Sequence, residues 1–259
     1  MSFENILTST ENSILTITIN RPDKLNALNR KTVEEIGKAI KKAGSDNTIK
    51  AIIITGSGQK AFAAGADITE LVVLSVEEGK ILAKEGQDVY KSIETCPKPV
   101  VAAVNGFALG AGCELSMACH MRIASENAKF GQPEVNLGLI AGYGGTQRLI
   151  QYVGKTKAIE LHMTGDLISA EQALKLGLVN YVVPQDHLIG KCVELLEKIK
   201  SKSPRAITSV INTINAYFDN NTIGFVTEIE EFGKCLATED FKEGTSAFLE
   251  KRKAEFVGK

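Results

Sequence analysis

The sequence carries almost no net charge. Its 30 lysines and arginines nearly balance 31 aspartates and glutamates over 259 residues, which leaves a net charge of −1 at pH 7. A chain without a basic excess has no general electrostatic attraction to nucleic acid or to an anionic membrane surface. We therefore expect neither as a partner, and any phosphate-bearing ligand has to be held by local groups.

Cysteine and histidine are scarce and show no metal-binding pattern. The cysteines are Cys96, Cys113, Cys119, Cys192 and Cys235. Their number is odd and no two are spaced as Cys-x-x-Cys, which indicates free thiols in a reducing, cytoplasmic compartment. His120, His162 and His187 are isolated along the chain. No metal site is predicted.

Long apolar runs and linkers are missing as well. The N-terminal stretch has no basic segment followed by apolar residues, so we expect no signal peptide. No run approaches the roughly 20 apolar residues that span a bilayer. No segment rich in Pro, Gly or Ser divides the chain. With 44% hydrophobic and 24% charged residues, the composition is that of an ordinary globular protein with one large core.

Strand and helix patterns alternate through residues 1–185. Ile14–Ile19 alternates apolar residues with Thr, as a strand with one buried face does. A helix is predicted over 29–43, and another begins at the capping box that starts with Ser75. The alternation predicts an α/β core over 1–185, followed by a helical C-terminal segment over 186–259. Within that segment, breaks between helices are expected at Pro204, at Asn220 and Asn221, and at Gly244. Periodicity alone does not choose between a doubly wound sheet and a spiral of ββα turns.

One glycine-rich segment matches a nucleotide-binding pattern only in part. Residues 56–61 fit G-x-G-x-x-G/A after a predicted strand. A dinucleotide fold needs a helix at this point and an acidic residue about 20 positions later, at a strand end. Residues 62–67 are rich in loop signals instead, and Glu77 and Glu78 fall at a helix start. No dinucleotide site is predicted.

Residues 98–148 concentrate the groups that could perform chemistry. A strand pattern at Val100–Val104 leads through a glycine-spaced turn into a predicted amphipathic helix with Glu114 in its first turn. A second strand pattern, Met121–Ser125, leads into a loop that holds Glu134. Backbone amides at a helix start, together with two carboxylates in apolar surroundings, would make an oxyanion site with acid–base groups. On pattern alone, solvent-exposed glutamates and ordinary glycine turns remain the alternative.

Long motifs occur in this stretch and beyond it: NGFALGAGCEL, RIAS, FGQPEVNLGL and GYGGTQRL. Together they resemble the crotonase (enoyl-CoA hydratase/isomerase) superfamily. The similarity runs from INRPDKLNALN through KAFAAGADI to ATEDFKEGTSAFLEKRKAEF. It implies a spiral of ββα turns with a helical C-terminal trimerisation segment, and hence a homotrimer or a dimer of trimers. It implies an acyl-CoA thioester substrate and no separate cofactor, because CoA is part of the substrate.

The same resemblance assigns roles in the reversible syn addition of water to a trans-2-enoyl-CoA. Glu114 and Glu134 match the two glutamates of the family's hydratases, with Glu134 as the proton donor to the α carbon. The backbone N–H groups of Ala66 and Ala111 match the oxyanion donors, and Gly142 matches a glycine that helps to position the water. An isomerase or acyl-CoA hydrolase of the same fold is the alternative, and retention of both glutamates favours the hydratase. RNA-binding relatives are disfavoured by the near-neutral charge.

Further residues are expected at the substrate by resemblance. The CoA and substrate contacts are Lys24, Ala27, Ala64, Ala66, Asp67, Ile68 and Ala111, and residues 71–82 are expected to border the acyl chain. The sequence departs from many relatives in three places. Ala111 replaces Gly and adds a methyl to the site, His120 replaces Asp in a structural role, and Ala141 replaces Pro in a nearby loop.

Overall fold

The computed structural model describes residues 3–219 and 222–259. The strands are β1 (Ile6–Glu11), β2 (Ile14–Ile19), β3 (Ala51–Gly56), β4 (Ala61–Ala64), β5 (Val100–Val104), β6 (Phe107–Leu109), β7 (Met121–Ser125), β8 (Lys129–Gly131), β9 (Ile168–Ser169) and β10 (Tyr181–Val183). The helices are α1 (Arg30–Ser45), α2 (Ile68–Leu71), α3 (Val76–Glu94), α4 (Ala111–Ala118), α5 (Gly145–Thr164), α6 (Ala170–Lys175), α7 (Leu188–Lys200), α8 (Pro204–Tyr217), α9 (Gly224–Leu236) and α10 (Glu239–Glu250). The predicted α/β class is confirmed.

The strands form two sheets. The larger has the order β1-β2-β3-β5-β7-β10, in which only the β1–β2 pair is antiparallel. The smaller has the order β4-β6-β8-β9, in which β4, β6 and β8 run parallel and β9 is antiparallel to β8. Consecutive strands from β3 to β8 therefore alternate between the two sheets.

This alternation makes a spiral. Each of three successive units places one strand in the large sheet, the next in the small sheet, and then a helix. The units are β3–β4–α3, with the short α2 before α3, then β5–β6–α4 and β7–β8–α5. Because equivalent strands pair in parallel, each unit stacks on the one before it. The spiral of ββα turns expected from the resemblance is confirmed.

Both faces of the large sheet are covered at its central strands β3 and β5, which explains why these two strands are uninterrupted runs of mainly apolar residues. Successive side chains of a strand point to opposite faces. Ile52 and Ile54 accordingly join the main core with α1 and α3, while Ile53 joins a second cluster against α7. All residues of β3 and β5 are buried.

Strongly patterned segments lie where the sequence predicts them. β2, β5 and β7 occupy the predicted residues. Asn29 caps α1 by accepting a hydrogen bond from the Thr32 amide, and Ser75 forms the expected capping box with Glu78 at the start of α3. Local composition is sufficient in these places because burial and capping act in the same direction.

Two local predictions are wrong. The helix that carries Glu114 is not amphipathic, because all eight residues of α4 are buried between the small sheet, α3 and α5. Residues 62–64, part of the segment 62–67 that was expected to be loop, belong to β4 (Ala61–Ala64). A strand at this point also rules out the helix that a dinucleotide-binding turn requires, in agreement with the rejection of that site.

Only helices follow β10 in the described part of the chain. α7 packs on the large sheet through Leu188, Cys192 and Leu196, so the division predicted between residues 185 and 186 separates the last strand from a helix of the same core. That division stays a prediction. Gly244, expected to break a helix, lies within α10, so that prediction is wrong. The break expected at Asn220 and Asn221 lies outside the described residues. No helix in residues 3–219 or 222–259 is both long and apolar enough to cross a membrane.

The close approach of α4 to β4 should make Gly112 irreplaceable. A Cβ at this position would lie 1.9 Å from the Ala63 carbonyl oxygen, a backbone atom that cannot move aside. Overpacking typically costs ~1–3 kcal/mol, and we expect Gly112→Ala to reach or exceed the upper value. The control is Gly190→Ala in α7, where a Cβ meets nothing within 4 Å. Removal of a helical glycine there should stabilise by about 0.5–1 kcal/mol. Urea unfolding measures both, and equal stability of the two variants would contradict this packing.

Candidate active site

A largely apolar cavity of about 550 Å³ opens at one edge of the small sheet. β4, β6 and β8 run parallel, so their carboxyl ends lie together at this edge. Ala66 follows the end of β4, Ala111 follows the end of β6, and Glu134 follows the end of β8. All three residues line the cavity together with Glu114. The spiral therefore brings together residues that are separated by up to 68 positions in the sequence.

Glu114 is almost completely buried, with 2% of its surface exposed. Its Oε1 accepts hydrogen bonds from the Tyr143 amide at 2.8 Å and the Gly145 amide at 2.6 Å. The other oxygen, Oε2, has no donor among the described residues and is the one available to a ligand. Burial raises the pKa of Glu114 to about 7, and the neighbouring Glu134 adds to the rise while the two amides oppose it. A carboxyl with this pKa exchanges protons readily near neutral pH.

Glu134 belongs to a 3₁₀ segment, Pro133–Leu137, and is partly buried. The Gln132 side chain is buried, and its amide is oriented so that both its oxygen and its nitrogen have suitable neighbours. In this orientation Nε2 donates to Glu134 Oε1 at 3.1 Å and to Oε2 at 3.2 Å. Burial raises the pKa of Glu134 as well. Gly110 lies against it, since a Cβ at this position would be 2.8 Å from Oε1. The glycine there is required for the carboxylate to approach the start of α4.

The amides of Ala66 and Ala111 lie on two adjacent turns. A Cβ on Gly110 would lie 3.7 Å from the Cα of Gly65, which shows how closely the turns approach one another. Ala66 forms an isolated parallel β-bridge with Leu28, but the hydrogen bonds of this bridge are made by the residues on either side of Ala66. Ala111 is the first residue of α4. Neither amide meets an acceptor within residues 3–219 and 222–259. Two free donors beside an apolar cavity form a suitable site for an oxyanion.

Two tyrosines lie next to the start of α4, and one of them, Tyr143, also lines the cavity. The hydroxyl of Tyr90, in α3, donates to the Ala111 carbonyl oxygen at 2.8 Å and is fully buried. Its ring meets Tyr143 edge to face, with centroids 5.4 Å apart. Sequence reasoning missed both tyrosines, and also Gln132 and Gly145. Gln132 lies in the FGQPE motif, and Tyr143 and Gly145 lie in GYGGTQRL, so these motifs could have indicated the three residues. No local sequence pattern connects Tyr90 to Ala111.

The residues predicted to contact substrate fall into two groups. Ala64, Ile68 and Gly142 line the cavity, as Ala66 and Ala111 do. The Gly142 carbonyl oxygen accepts a hydrogen bond from Gln87 at 2.9 Å. Its role with water stays a prediction.

Lys24, Ala27 and Asp67 lie outside the lining. Lys24 is exposed at the end of a 3₁₀ turn. Asp67 caps α2 and pairs with Arg21 at 2.9 Å, and hydrogen bonds from Thr69 and Arg21 lower its pKa. The Ala27 carbonyl oxygen accepts from Arg21 at 2.5 Å. These three residues stay predictions as CoA and substrate contacts.

The sequence departures at His120 and Ala141 have structural consequences. His120 Nδ1 accepts from the Val100 amide and its Nε2 donates to the Glu94 carbonyl oxygen, both at 3.0 Å, while burial lowers its pKa. The ring thus connects β5 to the end of α3 in the neutral form. Ala141 is buried next to Gly145, where a Cβ would lie 2.9 Å from the Ala141 methyl. No group of three or more His, Cys, Asp or Glu side chains in the described residues is arranged to hold a metal ion.

The pKa of Glu114 predicts how stability depends on pH. The folded state binds this proton with a pKa of about 7, whereas an unfolded glutamate has a pKa of about 4.3. Between these values the folded state binds more protons, so the free energy of unfolding falls as pH rises. At 1.36 kcal/mol per unit, the total loss attributable to Glu114 is about 4 kcal/mol. Glu114→Gln should remove it.

Urea unfolding of both proteins at several values between pH 4.5 and 8 measures this difference. Glu134→Gln should flatten the same slope by a smaller amount, because Glu134 is less deeply buried. If the curves of the wild type and Glu114→Gln run parallel, the carboxyl of Glu114 does not titrate in this range.

Comparison with known proteins agrees with this geometry. The sequence matches the family described as enoyl-CoA hydratase/isomerase over residues 9–259. It is 46% identical to the crotonyl-CoA hydratase of Syntrophomonas wolfei over 100% of both chains, and 44% identical to the short-chain-enoyl-CoA hydratase of Clostridium acetobutylicum over 98% of each. The crystal structure of enoyl-CoA hydratase from Bacillus anthracis superposes with a TM-score of 0.93 at 36% identity, covering 99% of this chain and 100% of that one. The chain belongs to the enoyl-CoA hydratase/isomerase family.

Proposed function

We propose that the protein is an enoyl-CoA hydratase, which adds water reversibly to a trans-2-enoyl-CoA and gives the (3S)-3-hydroxyacyl-CoA. The observation that carries this proposal is that Glu114, Glu134 and the free amides of Ala66 and Ala111 line one apolar cavity. Hydration requires a base, an acid and an anion-stabilising pair at one place. The family membership and the names of its relatives support the same reaction.

The reaction begins with polarisation of the thioester. The thioester carbonyl oxygen lies between the amides of Ala66 and Ala111, where negative charge gathers as the β carbon is attacked. Each fixed donor of this kind typically contributes ~3–4 kcal/mol to the transition state. Because both donors are backbone groups on glycine-supported turns, they are in place before the substrate arrives.

The two carboxyl groups then divide the proton transfers. Glu114 Oε2 takes a proton from the water as its oxygen bonds to the β carbon, and Glu134 gives a proton to the α carbon. The hydroxyl from the water and the proton from Glu134 reach the β and α carbons from the side that faces the carboxylates, which makes the addition syn. Transfer of a proton from Glu114 back to Glu134 then restores the starting state. The Gly142 backbone helps to position the water. Two acids in one apolar pocket titrate as a coupled pair, so one is protonated while the other is ionised.

A short acyl chain is the proposed substrate. The cavity is also lined by Leu71 at the end of α2, by Leu74 in the connecting segment, and by Val76 and Leu82 in the first turns of α3. These side chains offer an apolar surface to an acyl group. Two relatives with 44–46% identity are named for crotonyl-CoA and for short-chain enoyl-CoA, which supports the short-chain assignment. An isomerase or hydrolase is less well supported, because such reactions do not need both carboxyl groups.

A homotrimer or a dimer of trimers is part of the proposal. Phe232, Leu236, Phe248 and Leu249 on α9 and α10 are exposed by 66%, 44%, 82% and 79% in the isolated chain. Contiguous apolar surface of this kind is typical of protein–protein contacts. Light scattering at micromolar concentration should give at least three times the mass of one chain, and a monomer would contradict the proposal. A reducing cytoplasmic location is also proposed, supported by five cysteines that are all free.

The pair of carboxyl groups provides the decisive test. Glu114→Gln and Glu134→Gln keep the shape of the side chain and an oxygen that accepts hydrogen bonds, but they cannot exchange a proton. General acid–base catalysis is typically worth ~10²–10⁴-fold, and we expect each variant to lose at least this much kcat on crotonyl-CoA. Substrate affinity should remain near that of the wild type, because the amides of Ala66 and Ala111 are untouched. The double variant should be little worse than the weaker single one.

Two outcomes would contradict this assignment. If Glu134→Gln abolishes turnover while Glu114→Gln retains most of it, the enzyme uses a single acid and the isomerase becomes the better proposal. If the wild type turns over no enoyl-CoA ester from four carbons upward, the hydratase assignment itself fails.

A further inference from the structure

The orientation of Glu114 depends on a single turn. Both hydrogen bonds to its Oε1 come from the turn between Tyr143 and Gly145. Gly144, at the centre of this turn and just before α5, has a φ of 100°, in the left-handed region that favours glycine. A shift of this turn would rotate the carboxylate and move Oε2 relative to a bound ligand.

The buried side chain of Arg148 holds this turn from behind. Its Nη1 donates to the Tyr143 carbonyl oxygen at 2.9 Å, on the peptide group next to the two amides that bind Glu114. Its Nε and Nη2 donate to the carboxylate of Glu94 at 3.3 and 3.4 Å. Arg148 is 7% exposed. The planar guanidinium is fixed by Glu94 on one edge and fixes the turn with the other.

The packing leaves no space between the guanidinium and the turn. A Cβ on Gly144 would lie 2.4 Å from Arg148 Nη1. Gly144 is therefore required for two reasons: its backbone conformation favours glycine, and a side chain there would collide with Arg148. The direct contact transmits the position of Arg148 to the turn.

We propose that Arg148, paired with Glu94, is a positioning residue that holds the Tyr143–Gly145 turn and through it aims Glu114 at the substrate. The inference rests on the proposed hydratase function. Neither Arg148 nor Glu94 lines the cavity, so neither contacts the substrate. Their effect on catalysis has to pass through Glu114.

The charges around Glu114 determine the sign of the expected effects. Arg148 faces it from α5 and lowers its pKa, while Glu134 faces it from the 3₁₀ segment and raises it. Tyr90 from α3, Tyr143 from the turn and the buried Cys113 from α4 are further titratable neighbours. Loss of the Arg148 charge should raise the pKa of Glu114. Loss of the Glu94 charge leaves the arginine uncompensated and should lower that pKa.

The experiment measures kcat and KM for crotonyl-CoA hydration against pH in Arg148→Gln, Arg148→Lys and Glu94→Gln. Misplacement of a catalytic group by about 1 Å can cost ~100-fold, and we expect Arg148→Gln to lose about 10- to 100-fold in kcat with little change in KM. The acid limb of kcat/KM should move to higher pH in Arg148→Gln and to lower pH in Glu94→Gln. Arg148→Lys keeps the positive charge but loses the planar guanidinium that contacts both Glu94 and the Tyr143 carbonyl oxygen. Its kcat should therefore fall, while the acid limb of its kcat/KM profile should shift less than that of Arg148→Gln.

Lys91→Gln is the matched control, because Lys91 contacts Glu94 at 3.2 Å from the solvent side. It should behave like the wild type. An unchanged kcat and acid limb in Arg148→Gln would overturn the inference, and so would shifts of the same sign in Arg148→Gln and Glu94→Gln. If Arg148→Gln does not fold, Glu94→Gln and Arg148→Lys decide through the same readouts.

A second readout separates this inference from the proposed function. In urea unfolding, the free energy of unfolding of the wild type should fall as pH rises toward the pKa of Glu114. In Arg148→Gln this fall should continue to higher pH, because the pKa of Glu114 is raised, whether or not the protein hydrates any enoyl-CoA. If the wild type is inactive but the loss of stability extends to higher pH in Arg148→Gln, the hydratase function is refuted and the role of Arg148 is retained. An active wild type with no change in either profile refutes the role of Arg148 alone.

Discussion

The hydrogen bonds from two backbone amides to one oxygen of Glu114 are the interaction on which the site depends. A carboxylate buried in apolar surroundings costs several kcal/mol unless it is hydrogen-bonded or protonated. Here the turn satisfies one oxygen and leaves the other free in the cavity. The result is a carboxyl group with a pKa near 7 that is stable in place and still able to exchange a proton.

The spiral explains how such a site can be assembled from short loops. Three parallel strands of the small sheet end at the same edge, and each delivers one functional group within three residues of its end. Close approaches at Gly110 and Gly112 bring these loops together, since a side chain at either position would collide with Glu134 or with β4. The glycine pattern of the sequence is thus a requirement of packing around the cavity as much as of backbone conformation.

Much of the fold could be predicted from the sequence, but not the small sheet. β5 and β7 combine apolar side chains with β-branched residues, and their bounds agree with the prediction. β4, β6, β8 and β9 have two to four residues each, which is too few for a periodicity to be visible. α4, which carries Glu114 in its first turn and Ser116 in its second, was expected to be amphipathic. Burial of both side chains in a dense tertiary environment overrides that pattern.

For the site, motif resemblance supplied the two glutamates and the two amides, whereas their supports depend on contacts between distant residues. Tyr90 and Ala111 are 21 positions apart, and Glu94 and Arg148 are 54 apart. No local pattern in one sequence connects such pairs.

The central claim is that the two amides and the two carboxyl groups contact one thioester substrate in the same cavity. A crystal structure of the protein with acetoacetyl-CoA tests it most directly. The account predicts the thioester oxygen at about 2.7–3.1 Å from the amide nitrogens of both Ala66 and Ala111, with Glu114 Oε2 and Glu134 facing the acyl carbons. A complex with the thioester oxygen bound elsewhere, or with the acyl group outside this cavity, would contradict it.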